Sequence, residues 1–145
     1  MTNIRIATYR DAPAIRLLLE SLGYKATISL LISQLEDLFN KEDHQVFVYE
    51  QHKEVIGFVA VHYLPQLAFD GKLMIISYLS VDQHTQGRGV GKALEEFVTI
   101  QARSKGCERI QVHCAEWRAP THQFYLQQGY QEYPKYFTKR LVYAE

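Results

Sequence analysis

The stretch QGRGVGKAL, residues 86–94, follows the apolar run LMIISYLSV (73–81) and decides how the rest of the chain is read. After it, Val90, Leu94, Phe97, Val98 and Ala102 recur at helical spacing, and Gly106 closes the segment. ERIQVHCA (108–115) then reads as a strand. Strand, long helix and strand within about 40 residues is a parallel crossover unit, right-handed by the usual rule. A continuous apolar run such as 73–81 belongs to a strand buried on both faces.

Working outward, NIRIATY (3–9) alternates apolar and polar residues and predicts a strand. Asp11 offers a helix cap and Pro13 suits a first turn. Ile15, Leu18, Leu19 and Leu22 then line one helical face before Gly23. Thr27 caps a second helix carrying Leu31, Leu35 and Leu38, and NKEDH (40–44) forms a turn. QVFVYE (45–50) and EVIGFVAVHY (54–63), separated by a polar turn, predict an antiparallel hairpin. LPQLAFDGK (64–72) is a loop. At the C-terminal end, APTHQFYLQQ (119–128) is a short helix ending at Gly129, and YQEYPKYFTKRLVY (130–143) supplies one or two final strands around Pro134. The expectation is one α/β (α+β) domain over residues 1–145, with a mixed central sheet of six to seven strands and about four helices. A chain of this length buries about 68–70% of its unfolded surface.

Three phosphate-binding designs compete for the glycine loop. A Walker A loop fails twice, because Gln86 stands where its upstream glycine belongs and Ala93 where the magnesium-binding hydroxyl belongs. In a dinucleotide fingerprint, Gly87 and Gly89 fit but Lys92 occupies the third glycine position, and the loop lies past the chain's midpoint. A plain turn that starts a helix needs fewer glycines. What remains is a loop whose bared N–H groups, with the helix N-terminus, face an anion.

The spacing Gln86-x-x-Gly89-x-Gly91, after a strand and opening a helix, resembles the acyl-CoA signature of the GCN5-related N-acetyltransferase (GNAT) superfamily. A second region, RAPTHQFYLQQGY (118–130), resembles that superfamily's short helix, with Phe124-Tyr125 and Gly129-Tyr130 at its matching positions. The order of elements resembles it over nearly the whole chain. The resemblance implies a GNAT fold that transfers acetyl from acetyl-CoA, as co-substrate, to a primary amine of a small molecule or peptide. The competing function is an acyl-CoA binding or sensing module without catalysis.

The resemblance also assigns roles. Gln86, Gly87, Arg88, Gly89, Val90, Gly91 and Lys92 would hold the pyrophosphate, and Arg88 and Lys92 would pair with phosphate charge. Main-chain groups of Leu79, Ser80 and Val81 would hold the pantetheine arm and polarise the thioester. Arg118 and His122 would organise the short helix or touch the cofactor. Tyr125 matches the family's acid, and direct attack by the amine needs no covalent nucleophile. Many relatives carry a Glu on the strand before the loop, where this chain has Ser77 and Tyr78. His113 and Glu116 are therefore the candidate bases. Tyr24, Phe69 and Asp70 are the candidate acceptor-binding residues.

Composition narrows the partners. The formal net charge is zero over 145 residues, so no basic excess points to nucleic acid. No run approaches the about 20 apolar residues that cross a bilayer, and Arg5, Arg10 and Asp11 interrupt any signal-like segment. The expectation is a cytoplasmic protein without membrane partner, with a homodimer consistent with the resemblance. Cys107 and Cys114 read as free thiols. His113 and Cys114, as strand neighbours, point to opposite faces, and no ligand pair stands at zinc spacing, so no metal is expected.

Overall fold

The computed structural model describes residues 3–85, 88–113, 119–133 and 137–141. Among them stand β1 (Ile4–Ile6), α1 (Ala12–Ser21), α2 (Ile28–Leu38), β2 (His44–Gln51), β3 (Glu54–Leu64), β4 (Lys72–Val81), α3 (Val90–Ser104), β5 (Cys107–Val112) and α4 (Ala119–Gln127). The five strands form one sheet in the order β1-β2-β3-β4-β5. Neighbours are antiparallel up to β4, and β4 pairs β5 in parallel across the α3 crossover. The chain comprises two compact units, Met1–His113 and Cys114–Glu145.

Among the described residues the sheet has five strands, not the six to seven expected. Residues 130–133 and 137–141 form no strand, although the sequence predicts one or two over residues 130–143. A strand needs a neighbour's N–H and C=O groups as well as strand-forming side chains, and Pro134 removes one donor from this segment.

Two cores sandwich the sheet, and each strand divides its side chains between them by period two. On one face Phe47, Val59, Val61, Met74 and Ile76 meet Val90, Leu94 and Val98 of α3. On the other, Val48, Phe58 and Ala60 meet Ile15, Leu18 and Leu19 of α1 and Leu35 of α2. Gly57 lets α3 settle onto β3: a Cβ there would stand 3.1 Å from Val90 Cγ1 and 3.2 Å from Leu94 Cδ1.

Asp11 precedes α1 as expected but does not cap it. Its carboxylate instead accepts the Thr8 N–H at 2.8 Å and a bidentate pair of hydrogen bonds from Arg5, both at 2.9 Å. Arg5 also bridges to Glu50 at 2.8 Å, and the Asp11 hydrogen bonds hold its guanidinium pKa above the ordinary value. A buried carboxylate is worth more paired with a charged fork than with a single helix N–H. Thr27 does cap α2, accepting the Leu30 N–H at 3.1 Å.

Candidate active site

β4 is the strand that organises the site. Its pairing with β5 runs from Lys72↔Cys107 to Ile76↔Val112 and stops there, while β4 itself continues to Val81 beside β3. Between Ser77 and Val81 the β5-side edge of β4 is therefore unladdered among the described residues. His113 follows directly on Val112, so it stands where the two strands part.

A β-bulge lies at the same point. Ala60 opposes Tyr78 and Val61 opposes Ile76, which leaves Ser77 as the extra residue, its hydroxyl donating to the Ala60 carbonyl at 3.3 Å. Beyond the bulge, the Asp82 N–H donates to the Ile56 carbonyl at 2.8 Å. By the alternation of an antiparallel ladder, Ser80 then directs its main-chain groups at Phe58, whereas Leu79 and Val81 direct theirs away from β3, toward the open edge. The Ser80 side chain is buried and donates to the Leu18 carbonyl at 2.9 Å, with Ser21 Oγ at 3.2 Å. Of the three residues expected to hold a pantetheine arm through their backbone, Leu79 and Val81 thus face the gap and Ser80 faces the fold.

The open edge leads into the glycine loop. Asp82 turns the chain: its Oδ1 accepts the His84 N–H at 2.8 Å, and its carbonyl accepts the N–H and hydroxyl of Thr85, both at 3.0 Å. Gly89 is the N-cap of α3 with φ 80° and ψ 12°, a left-handed conformation that favours glycine, and it contributes no side-chain cap. Ala93 donates to the Gly89 carbonyl at 2.9 Å. The N–H groups of Val90, Gly91 and Lys92, ahead of that first helical bond, make up a first turn with no side-chain cap among the described residues, at the positive end of a 15-residue helix. Arg88 and Lys92 flank it, both exposed. Gln86 and Gly87 lie outside the described residues, as do Glu116, Arg118 and Cys114.

The candidate acceptor residues separate. Tyr24, between α1 and α2, meets Tyr78 edge to face, with centroids 5.3 Å apart and planes at 87°. Phe58 lies beside Tyr78 at 6.4 Å and 26°. Phe69 is elsewhere: the Arg109 guanidinium sits 4.1 Å from its ring centroid, at the closed end of the β4–β5 pair where Leu73 is opposite Arg109. Asp70 belongs to that same loop. Tyr78 is the residue the sequence conceals, because an aromatic inside an apolar strand reads as core, yet it is 36% exposed.

In the C-terminal unit, α4 carries Tyr125, which is buried, with Phe124 and Tyr130 edge to face at 5.2 and 5.4 Å. The Tyr130 N–H donates to the Tyr125 carbonyl at 3.1 Å, and Gly129 makes the turn with φ 95°. His122 lies three residues earlier on the same helix, partly exposed. Cys107 is a free thiol whose pKa burial raises. Among the described residues no group of three or more His, Cys, Asp or Glu could hold a metal ion, and no helix is long and apolar enough to cross a membrane.

A mixed sheet whose parallel strands part beside an uncapped helix N-terminus defines an α/β protein that can lay an extended, anionic ligand along one strand edge. The chain belongs to the acetyltransferase (GNAT) family, which residues 8–130 match, and it is an acetyltransferase of that family. No curated protein matches it. Solved structures share the fold. A glucosamine-6-phosphate N-acetyltransferase from Arabidopsis thaliana superposes with TM-score 0.83 at 21% identity, covering 96% of this chain and 97% of that one. An aminoglycoside acetyltransferase from an uncultured soil metagenomic sample gives 0.80 at 24% identity, covering 96% and 95%. A structure described as a transcriptional regulator from Bacillus halodurans gives 0.88 at 18% identity, covering 97% and 100%.

Proposed function

We propose that the protein transfers the acetyl group of acetyl-CoA directly to a primary amine of a small molecule or peptide, as a single domain. The observation that carries this reading is the edge of β4 from Ser77 to Val81, which among the described residues is unladdered and runs toward a first turn of α3 without a side-chain cap. Such an edge offers main-chain donors and acceptors to an amide-bearing arm, and such a turn suits a pyrophosphate. The family match crosses the boundary between the two compact units, which supports one catalytic domain.

In the proposed reaction, Val90, Gly91 and Lys92 hold the pyrophosphate through their N–H groups, with Arg88 and Lys92 adding charge. Leu79 and Val81 hold the pantetheine arm, and an N–H of this pair polarises the thioester carbonyl. The neutral amine attacks that carbon; a C–N bond forms and the C–S bond breaks, its electron pair leaving on sulfur. An alkylamine is mostly protonated at neutral pH, so a base must first take a proton. His113, at the fork, is the base in this reading, directly or through one water, with Glu116 as the other candidate. Tyr125 protonates the departing thiolate, and the proton that the attacking nitrogen gives up on becoming an amide restores Tyr125 through solvent.

Incubation with acetyl-CoA and a panel of amines, following free thiol, tests the reading. Turnover dependent on amine is expected, with kcat falling in Tyr125→Phe while acetyl-CoA affinity is kept. Tight acetyl-CoA binding with no turnover of any amine would make the chain a binding module, and an unchanged kcat across pH in Tyr125→Phe would remove the acid.

A further inference from the structure

The parted strand presents one feature that thioester binding leaves unused: the ring pair on the α1 side of β4. Tyr78 is the first residue past the Ser77 bulge and directly precedes Leu79. Period two sends its side chain to the same face as Ser80, toward α1. There it meets Tyr24, which is 49% exposed. Phe58 flanks the Tyr78 ring and is itself buried, so the pair is braced from within and open from without.

The pair is also fixed relative to the reacting edge. Ser80 donates to Leu18, and Ser21, the last residue of α1, donates to the same carbonyl at 2.7 Å. The turn of α1 that leads into Tyr24 is thereby tied to the strand that carries Tyr78 and Leu79. We propose that Tyr24 and Tyr78 form the acceptor wall of the transferase, selecting a primary amine borne on an aromatic or flat apolar group. This rests on the acetyl-transfer reading above.

Two further observations favour that class over a polycation. A perpendicular ring pair offers both an edge and a face to a third ring, the arrangement aromatic side chains prefer. The connection 22–27, LGYKAT, contains a lysine beside Tyr24 and no acid, and Glu20 of α1 is paired with Arg16 at 3.7 Å. Several ammonium groups would meet Lys25 without a matching carboxylate from this connection. The reacting nitrogen itself must be neutral when it attacks, so the rings recognise the flank of the acceptor and not its charge.

The test compares kcat/KM for phenethylamine, butylamine and the aminoglycoside sisomicin in the wild type, Tyr24→Ala, Tyr24→Phe and Tyr78→Ala. Phenethylamine is expected to exceed butylamine by about tenfold in the wild type, as one well-placed aromatic contact allows. That preference should collapse in both alanine variants, survive in Tyr24→Phe, and leave the acetyl-CoA Kd unmoved. A wild type that prefers sisomicin, or a preference that survives both alanine variants, overturns the wall. Should the wild type bind acetyl-CoA yet acetylate no amine, the transfer reading falls separately. Calorimetry of phenethylamine with the CoA-loaded protein then decides: binding lost in Tyr24→Ala supports the wall, and equal or absent binding overturns it.

Discussion

The hydroxyl of Ser80 donates to the carbonyl of Leu18 at 2.9 Å, a buried bond that joins the end of β4 beyond the bulge to α1. Ser80→Ala should cost about 1 kcal/mol, at the low end for a buried hydrogen bond, because Ser21 still donates to Leu18 O at 2.7 Å. Urea unfolding of the single and the Ser21→Ala double variant reads this. A double variant no weaker than the single would show that the carbonyl needs neither donor.

Gly57 sets the seat of α3. Gly57→Val would press on Val90 and Leu94, already 3.1 and 3.2 Å from a bare Cβ, with overpacking typically costing about 1–3 kcal/mol. Since Val90 opens the helix whose N-terminus faces the proposed pyrophosphate, acetyl-CoA affinity should fall along with Tm. A Tm loss with unchanged Kd would uncouple the helix seat from the cofactor.

At Gly89 no atom of the described residues, its chain neighbours and own helix backbone aside, stands within 4 Å of an added Cβ, so backbone strain comes before any clash with them. With φ at 80°, a side chain costs about 1–2 kcal/mol. Gly89→Val should also stop a phosphate approaching the first turn of α3, and should raise the acetyl-CoA Kd more than Arg88→Ala does. Equal, small changes in Kd would contradict the cradle.

His44 and His62 stack across the β2–β3 ladder, centroids 4.0 Å apart, and the buried Nε2 of His44 has no hydrogen-bond partner among the described residues. Burial, then the neighbouring His62, lowers the His44 pKa from 6.5 to about 4, with Asp43 opposing; burial lowers His62 as well. A base whose folded pKa lies below its unfolded value binds more protons unfolded, so stability is full above 6.5 and is lost as pH falls toward 4. Because both rings are partly exposed, the loss should be about 1–2 kcal/mol across that window. Urea midpoints measured through it in the wild type and His44→Phe check this: the variant should be markedly flatter.

Much of the fold was legible because it depends on period. The strands of the sheet and helices α1 to α3 repeat at 2.0 and 3.6, and Thr27, Gly89 and Gly106 punctuate them as residue chemistry demands. Tertiary choices were not legible. Asp11 is a good cap by type, and only folding brings it to Arg5. Phe69 has the composition of an acceptor contact, and only the β4–β5 register carries it to Arg109. The hairpin turn at His52 and Lys53, both at positive φ, lacks the Asn-Gly that normally announces it. The site followed the same division: the glycine spacing could be counted, whereas the parting of β4 from β5 belongs to neither strand alone.

Ser77 deserves a different description from that of an irregular residue. Upstream of it, Met74 and Ile76 turn side chains to the α3 core and main-chain groups to β5. Strict alternation from Ile76 would hand the open edge to Tyr78 and Ser80 and would drive both side chains under α3. The bulge takes up Ser77 without a step of alternation, so that Leu79 and Val81 face the edge while Tyr78 and Ser80 face the α1 side. β4 thus runs in two reading frames, and it is the bulge that separates them: drawing Ser77 into a regular ladder would exchange the roles of the four residues after it without altering any of them, whereas deleting it would leave their faces as they are.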